Sequence, residues 1–376
     1  MGNAAAQARE CGRDGILPAH GIRWLVENGH LNSSAPLDAD QVQPASFDLR
    51  LGSKAWRVRA SFLPGRNRTV AERLEDLALH EMALDGGAVL ETGCVYIVEL
   101  MERLALPADI AAACNPKSST GRIDVFTRVI TESGKAFDRI PAGYAGPLYL
   151  EISPRTFPIL VRPGSRLAQI RFKRGEARLD DDATRALHAR DPLVVGMQPD
   201  IDGGVGFHVD LSSGDITRPI GYRARRHAGL IDVDAVGRLD PRKFWEPIIE
   251  RGPLVLDPGE FYILASKEAV RVPPDHAAEM VPFDPFVGEF RVHYAGFFDP
   301  GFGHAAGGGE GARAVLEVRA HEVPFVLEDG QIVGRLLYEP LCEAPEQVYG
   351  EVGSHYQKQG LRLSKHFLDD APAGCR

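Results

Sequence analysis

The chain has 376 residues, 44% of them hydrophobic and 25% charged, with a formal net charge of −9, which is room for two domains and the composition of a soluble globular protein. The acidic balance excludes wholesale nucleic-acid binding, because no long basic face is left to neutralise phosphates, while a local cluster still suffices for a small anion. No apolar run reaches membrane length and the amino terminus lacks a basic-then-apolar signal, so no membrane partner is expected and a cytoplasmic location follows as the default.

In chain order, Ile22, Leu25 and Val26 follow Pro18 at helical spacing, which predicts one short amphipathic helix within residues 13 to 31. From Gln43-Pro44-Ala45-Ser46-Phe47-Asp48-Leu49-Arg50-Leu51-Gly52 to about residue 172, alternating apolar and polar residues separated by Gly, Pro and Asp predict short strands. An internal repeat orders the rest. Gly93, Pro107, Asp109, Glu151, Pro158 and Gly164 recur at Gly259, Pro273, Asp275, Glu317, Pro324 and Gly330, each displaced by 166. A period this long means duplicated domains and not a solenoid. The charged stretch Arg178-Leu179-Asp180-Asp181-Asp182 and the Gly/Pro/Asp-rich residues around it mark the boundary. The expected fold is therefore mainly β with a few short helices, in two copies over residues 1–190 and 191–376. Five cysteines (Cys11, Cys94, Cys114, Cys342, Cys375) are scattered and read as reduced thiols.

Asn115-Pro116-Lys117-Ser118-Ser119-Thr120-Gly121-Arg122 carries the first chemistry. Asparagine before proline suits the N-cap and first turn of a short helix, with the amides of Lys117, Ser118 and Ser119 turned outward as an anion cradle. Ser118 and Arg122, four apart, set a hydroxyl and a guanidinium on one face beside the Lys117 ammonium, and a triphosphate fits there. An ordinary capped surface turn would read the same way. Each copy also holds one glutamate at the end of a strand, Glu151 and Glu317, where apolar neighbours suggest half-burial that raises a carboxylate toward the range useful for acid and base work, and where a solvent-facing strand glutamate would read the same way. In the second copy an apolar hairpin closes on Asp299-Pro300-Gly301, so Asp299 is either the turn's hydrogen-bonding residue or also the holder of a ligand hydroxyl. Tyr356 and Gln359 lie between glycines, as in a mobile lid that covers a base and reads its edge, or in a frayed end. Leu361, Leu363 and Phe367 argue that the end docks, and truncation after Val352 is expected to abolish turnover with the fold intact. His293 and His304 read as structural, with no clustered ligand set for a metal site.

Lys117-Ser118-Ser119-x-x-Arg122, Ala295-Gly296-Phe297-Phe298-Asp299-Pro300-Gly301, Leu316-Glu317 and the tail Tyr356-Gln357-Lys358-Gln359-Gly360 together resemble the dCTP deaminases, relatives of the trimeric dUTPases. The resemblance runs from about Gly15 to Phe367. It implies a distorted β-barrel or β-prism, dUTPase-like domain in both copies and hydrolysis of dCTP to dUTP and ammonia, with Mg²⁺ carried by the substrate triphosphate, no metal in the catalytic centre and a homo-oligomer. By the same likeness Ser118, Arg122 and the Ala295 backbone carbonyl hold the attacking water. The His-x-Glu and Pro-Cys-x-x-Cys of zinc deaminases are missing, so at motif level a zinc mechanism is excluded. Ala228-Gly229-Leu230-Ile231-Asp232 resembles a dUTPase uridine motif but lacks its following tyrosine and glycine, and reads as a local turn with Asp232 a weaker candidate.

Neither copy is complete. The first reads Ile140-Pro141-Ala142-Gly143 where Asp-Pro-Gly is wanted, and the second reads Val281-Pro282-Phe283-Asp284-Pro285-Phe286 in place of the cradle. One arrangement is composite: the first copy grips phosphates while the second brings hairpin, Glu317 and lid. The other keeps Glu151 with Ser118 and Arg122 inside the first copy. Three functions remain under the resemblance: a dCTP deaminase, a dUTPase or bifunctional enzyme continuing to dUMP, or a nucleotide-binding scaffold without catalysis.

Overall fold

A computed structural model describes residues 13–212, 214, 216–282, 290–292, 296–320, 322–351 and 360–369. The architecture is mainly β, with four α-helices and two 3-10 turns among the described residues. The predicted first helix is Ala19–Glu27, capped by Pro18, and its apolar spacing puts Ile22 and Leu25 in the core. One helix falls where a linker was expected. Asp180 accepts the amide of Ala183 as an N-cap, Asp181 and Asp182 fill the first turn and His188 and Arg190 the last, so the charges match the helix dipole over Asp181–Arg190.

The strands repeat their pairing as well as their spacing. In the first half one sheet runs in the order Ala78–Ala83, Leu51–Val58, Val95–Ala105, Ala145–Pro154, Val125–Thr131. In the second half the order is Trp245–Ile248, Gly221–Ala224, Tyr262–Val270, Ala312–Ala320, Phe290–Val292. A second sheet runs Gly15–Ile16, Ala168–Arg174, Ile110–Pro116, Arg139–Ile140, and its counterpart Val205–His208, Ile332–Pro340, His276–Pro282, Gly296–Phe298. The register agrees too: Glu151 stands opposite Ile97 and Glu317 opposite Ile263. Both glutamates are therefore buried mid-strand, not at a solvent-facing strand end.

The halves share a core. Phe157 of the first packs edge-on against Trp245 of the second at 5.5 Å between ring centroids, and Phe367 joins at 5.9 Å from Trp245. Ile231–Asp232 pairs in parallel with Ile159–Val161, so a strand of the second half completes a sheet of the first. Asp232 is held there by Arg162 at 2.8 Å, a structural role for the uridine-like stretch. The carboxyl end docks as the apolar residues required, with Leu363 and Phe367 buried and Ser364 Oγ donating to the Ser119 carbonyl at 2.8 Å. Truncation after Val352 would remove these anchors, and with them part of the shared core. No helix among the described residues is long and apolar enough to cross a membrane.

Candidate active site

The segment from Asn115 to Arg122 is built differently from its expected form. Asn115 and Pro116 end the strand Ile110–Pro116, and the one-turn helix is Ser118–Gly121 with Lys117 as its cap. The cap moves because Asn115 is otherwise engaged: its backbone pairs with Gln169, and its Nδ2 donates to Glu279 Oε1 of the second half at 3.3 Å. The Lys117 amide is not free for an anion either, since it donates to the Leu167 carbonyl at 2.9 Å. That leaves the amides of half-buried Ser118 and buried Ser119 at the head of the helix. The Lys117 ammonium is paired with the buried carboxylate of Asp48, and Arg166 Nη1 approaches the same carboxylate at 3.5 Å. Lys365 lies close by, and burial together with the charges of Lys117 and Arg166 holds its ammonium below the usual lysine range. Arg166 pairs more closely with Asp38 and Asp40, at 2.7 and 2.8 Å, so the three cations share several carboxylates.

Arg122 lies against Glu317 of the second half, Nε to Oε1 3.9 Å, with both side chains less than a tenth exposed. That separation makes an ion pair and is too long for a direct hydrogen bond. Arg122 Nη1 also donates to the Arg362 carbonyl at 3.2 Å, tying the docked carboxyl end to the same spot. Burial pushes the Glu317 carboxyl up to about 7 from an ordinary 4.5, while Arg122 pulls the other way. Glu151, the matching residue of the first half, is instead paired with its cross-strand neighbour Arg128, whose Nε donates to Oε1 at 2.9 Å. Arg128 lies over the Phe137 ring at 3.7 Å.

Asp299 is the first residue of a turn in which Phe302 N donates to the Asp299 carbonyl at 3.1 Å and Gly301 sits at φ +91, the left-handed position a type II turn reserves for glycine. Its carboxylate crosses to the first half, where Arg171 Nη2 donates to Oδ1 at 3.0 Å. Burial raises this carboxyl and Arg171 limits the rise. Arg171 also donates to the Ala278 carbonyl at 2.8 Å and lies over the Phe297 ring at 4.2 Å, so one guanidinium fastens the hairpin. Ala295, His293, Tyr356 and Gln359 fall outside the described residues. His304 caps the turn at Ala306 and contacts Asp191 at 3.1 Å. Among the described residues no group of three or more His, Cys, Asp or Glu side chains is arranged to hold a metal ion. Asp48, Arg166, Arg171 and Lys365 were missed from sequence; each is a single charge in a strand or loop, with no spacing signal to separate it from a solvated residue.

Fold and site define a mainly β protein with a repeated strand order, whose halves meet on a buried carboxylate and guanidinium. Residues 13–176 match the family model for the 2'-deoxycytidine 5'-triphosphate deaminase N-terminal domain, and residues 180–367 that for its C-terminal domain. The chain belongs to the dCTP deaminase family. A crystal structure of 2'-deoxycytidine 5'-triphosphate deaminase from Agrobacterium tumefaciens is similar over 87% of this chain and 99% of that one, at 61% identity and a TM-score of 0.84. The dCTP deaminase of Haloarcula marismortui is 31% identical over 160 residues, which is 42% of this chain and 79% of the relative. A dCTP deaminase, dUMP-forming, from Kocuria rhizophila is 35% identical over 158 residues, 42% of this chain and 78% of the relative.

Proposed function

We propose that the protein hydrolyses dCTP to dUTP and ammonia at a site composed from both halves, with Glu317 as the acid and base. The observation that carries this reading is Glu317 buried against Arg122 across the halves, its carboxyl lifted to about 7, near working pH, where a group both takes and gives a proton. Glu317 takes a proton from a water held by Ser118, Arg122 and the Ala295 carbonyl, and delivers it to N3 of cytosine as the hydroxide adds at C4. The tetrahedral carbon then collapses: the C4 hydroxyl proton passes to the amino group, ammonia leaves and the C4 carbonyl forms. The gap of 3.9 Å between Arg122 and Glu317 is one that a bridging water spans.

Lys117, Ser118 and Ser119 take the triphosphate, Lys117 exchanging Asp48 for phosphate, with Mg²⁺ arriving as part of the substrate. Asp299, fixed by Arg171, takes a ligand hydroxyl, and Tyr356 and Gln359 close over the base. Each half, residues 1–190 and 191–376, is one distorted dUTPase-like barrel in this reading. The matching strand orders support it, as does the fact that relatives align with less than half of this chain over most of their own length. The whole works as a homo-oligomer. Incubation with dCTP and Mg²⁺, with ammonia, dUTP and pyrophosphate measured separately, tests the reaction, and absence of ammonia would sink it. The dUMP-forming relatives favour one further reading, in which pyrophosphate appears in step with ammonia.

A further inference from the structure

Glu317 and Arg319 are two apart on one strand and so project from the same face. Arg122 and Asp124 are likewise two apart on the segment they meet. The charges run in opposite order: Arg122 faces Glu317, and Asp124 pairs with Arg319. This second pair sits within a hydrogen-bonded network. Asp124 is 1% exposed, its carboxylate accepts from Arg319 Nη2 and from Thr156 Oγ1, and Arg319 Nη2 also donates to Thr156 Oγ1 at 2.8 Å. Arg319 Nη1 donates to the Gly259 carbonyl. Asp124 holds φ +56, a left-handed conformation uncommon outside glycine, though aspartate and asparagine adopt it more readily than most.

We infer that Asp124 and Arg319 are positioning residues, which fix the register of the Glu317 strand against Arg122 across the two halves. The alternation of sign is what does this. A slide of the strand by two residues would set Arg319 against Arg122, or Glu317 against Asp124, and either is a like-charge contact. The device is present on one side only. On the equivalent strand of the first half the position of Arg319 is Ser153, so no guanidinium stands two residues beyond Glu151. Thr156, from the first half, donates to the same carboxylate and so holds it in place for Arg319. The inference rests on Glu317 being the working carboxylate.

The test uses full-length Asp124→Asn, Arg319→Gln, the double variant and Glu317→Gln, each assayed for ammonia release across pH and for thermal melting. Asparagine tolerates the left-handed backbone, so Asp124→Asn keeps the turn if Arg319→Gln does not fold. The expected result is a kcat lower by about tenfold to a hundredfold with KM little changed, as for a catalytic group displaced by about an ångström. The midpoint of the pH–rate profile moves to higher pH, because Glu317 loses part of the pull of Arg122. The double variant is no worse than the worse single one, since both break the same pair. A kcat that falls only in proportion to lost folded protein, with the pH midpoint unmoved, overturns the proposal. So does a wild-type kcat in Asp124→Asn while Glu317→Gln is inactive. Wild-type turnover in Glu317→Gln refutes the assignment of the carboxylate itself, and the proposal with it.

Discussion

Glu317→Gln separates chemistry from stability in a single protein. Burial lifts the folded carboxyl from 4.5 to about 7, so ionising Glu317 in the native state costs about 3 kcal/mol more than in the unfolded chain. Between these values the folded state holds a proton that the unfolded state has released, and unfolding free energy falls as pH rises. The contribution is fully present below 4.5, is lost progressively, and is gone once pH passes about 7. Other buried groups titrate in the same window. Asp138, pushed up to about 7 by burial, adds a loss in the same direction, and His366, pushed down to about 4 by burial, opposes both. These are common to wild type and variant, so the difference between the two isolates Glu317. Glutamine leaves Arg122 buried without its carboxylate, which offsets the whole curve, so the slope is the readout and not the absolute stability. Urea unfolding at half-unit steps from pH 4 to 8.5 should show wild type losing about 3 kcal/mol relative to the variant across the window, with ammonia release abolished in the variant. Parallel curves would refute the buried, proton-holding carboxylate, and wild-type turnover would refute its role.

Three further outcomes follow from the same geometry. Glu151→Gln leaves Arg128 without its carboxylate and should cost about 3 kcal/mol of stability by urea unfolding, with the kcat of folded enzyme unchanged. Lys117→Ala should raise KM for dCTP about tenfold or more and leave binding of deoxycytidine alone, which isothermal titration would separate. Arg171→Met strands the buried Asp299 carboxylate and should destabilise the protein by about 3–5 kcal/mol, read from its urea midpoint.

The repeat was legible because glycines, prolines and strand glutamates recur at one offset, and strand pairing follows from that spacing: Glu151 and Glu317 take equivalent registers. The divided inventory of motifs pointed to a composite arrangement, and Arg122 and Glu317, one from each half, stand 3.9 Å apart. Other features were hidden for stated reasons. Asn115 has the local chemistry of a helix cap, but a tertiary hydrogen bond to Glu279 outweighs it and the cap moves to Lys117. Asp180 looked like part of a linker because acidic runs are usually solvated, yet a capped start and a basic last turn are enough for ten helical residues. Asp48, Asp124, Arg171 and Arg319 find partners across strands or across the halves, where no local period reaches them.

The strand Ile231–Asp232, lent by the second half to a sheet of the first, bears on how such a chain changes over time. A chain whose halves repeat one strand order is free to separate into them only while each can cover its own core. Here the first half without the second would expose Phe157 and the edge of Ile159–Val161, and the second alone would uncover the face of Trp245 that Phe157 packs against. Expressed from two genes, the fragments should be recovered only as a complementing pair.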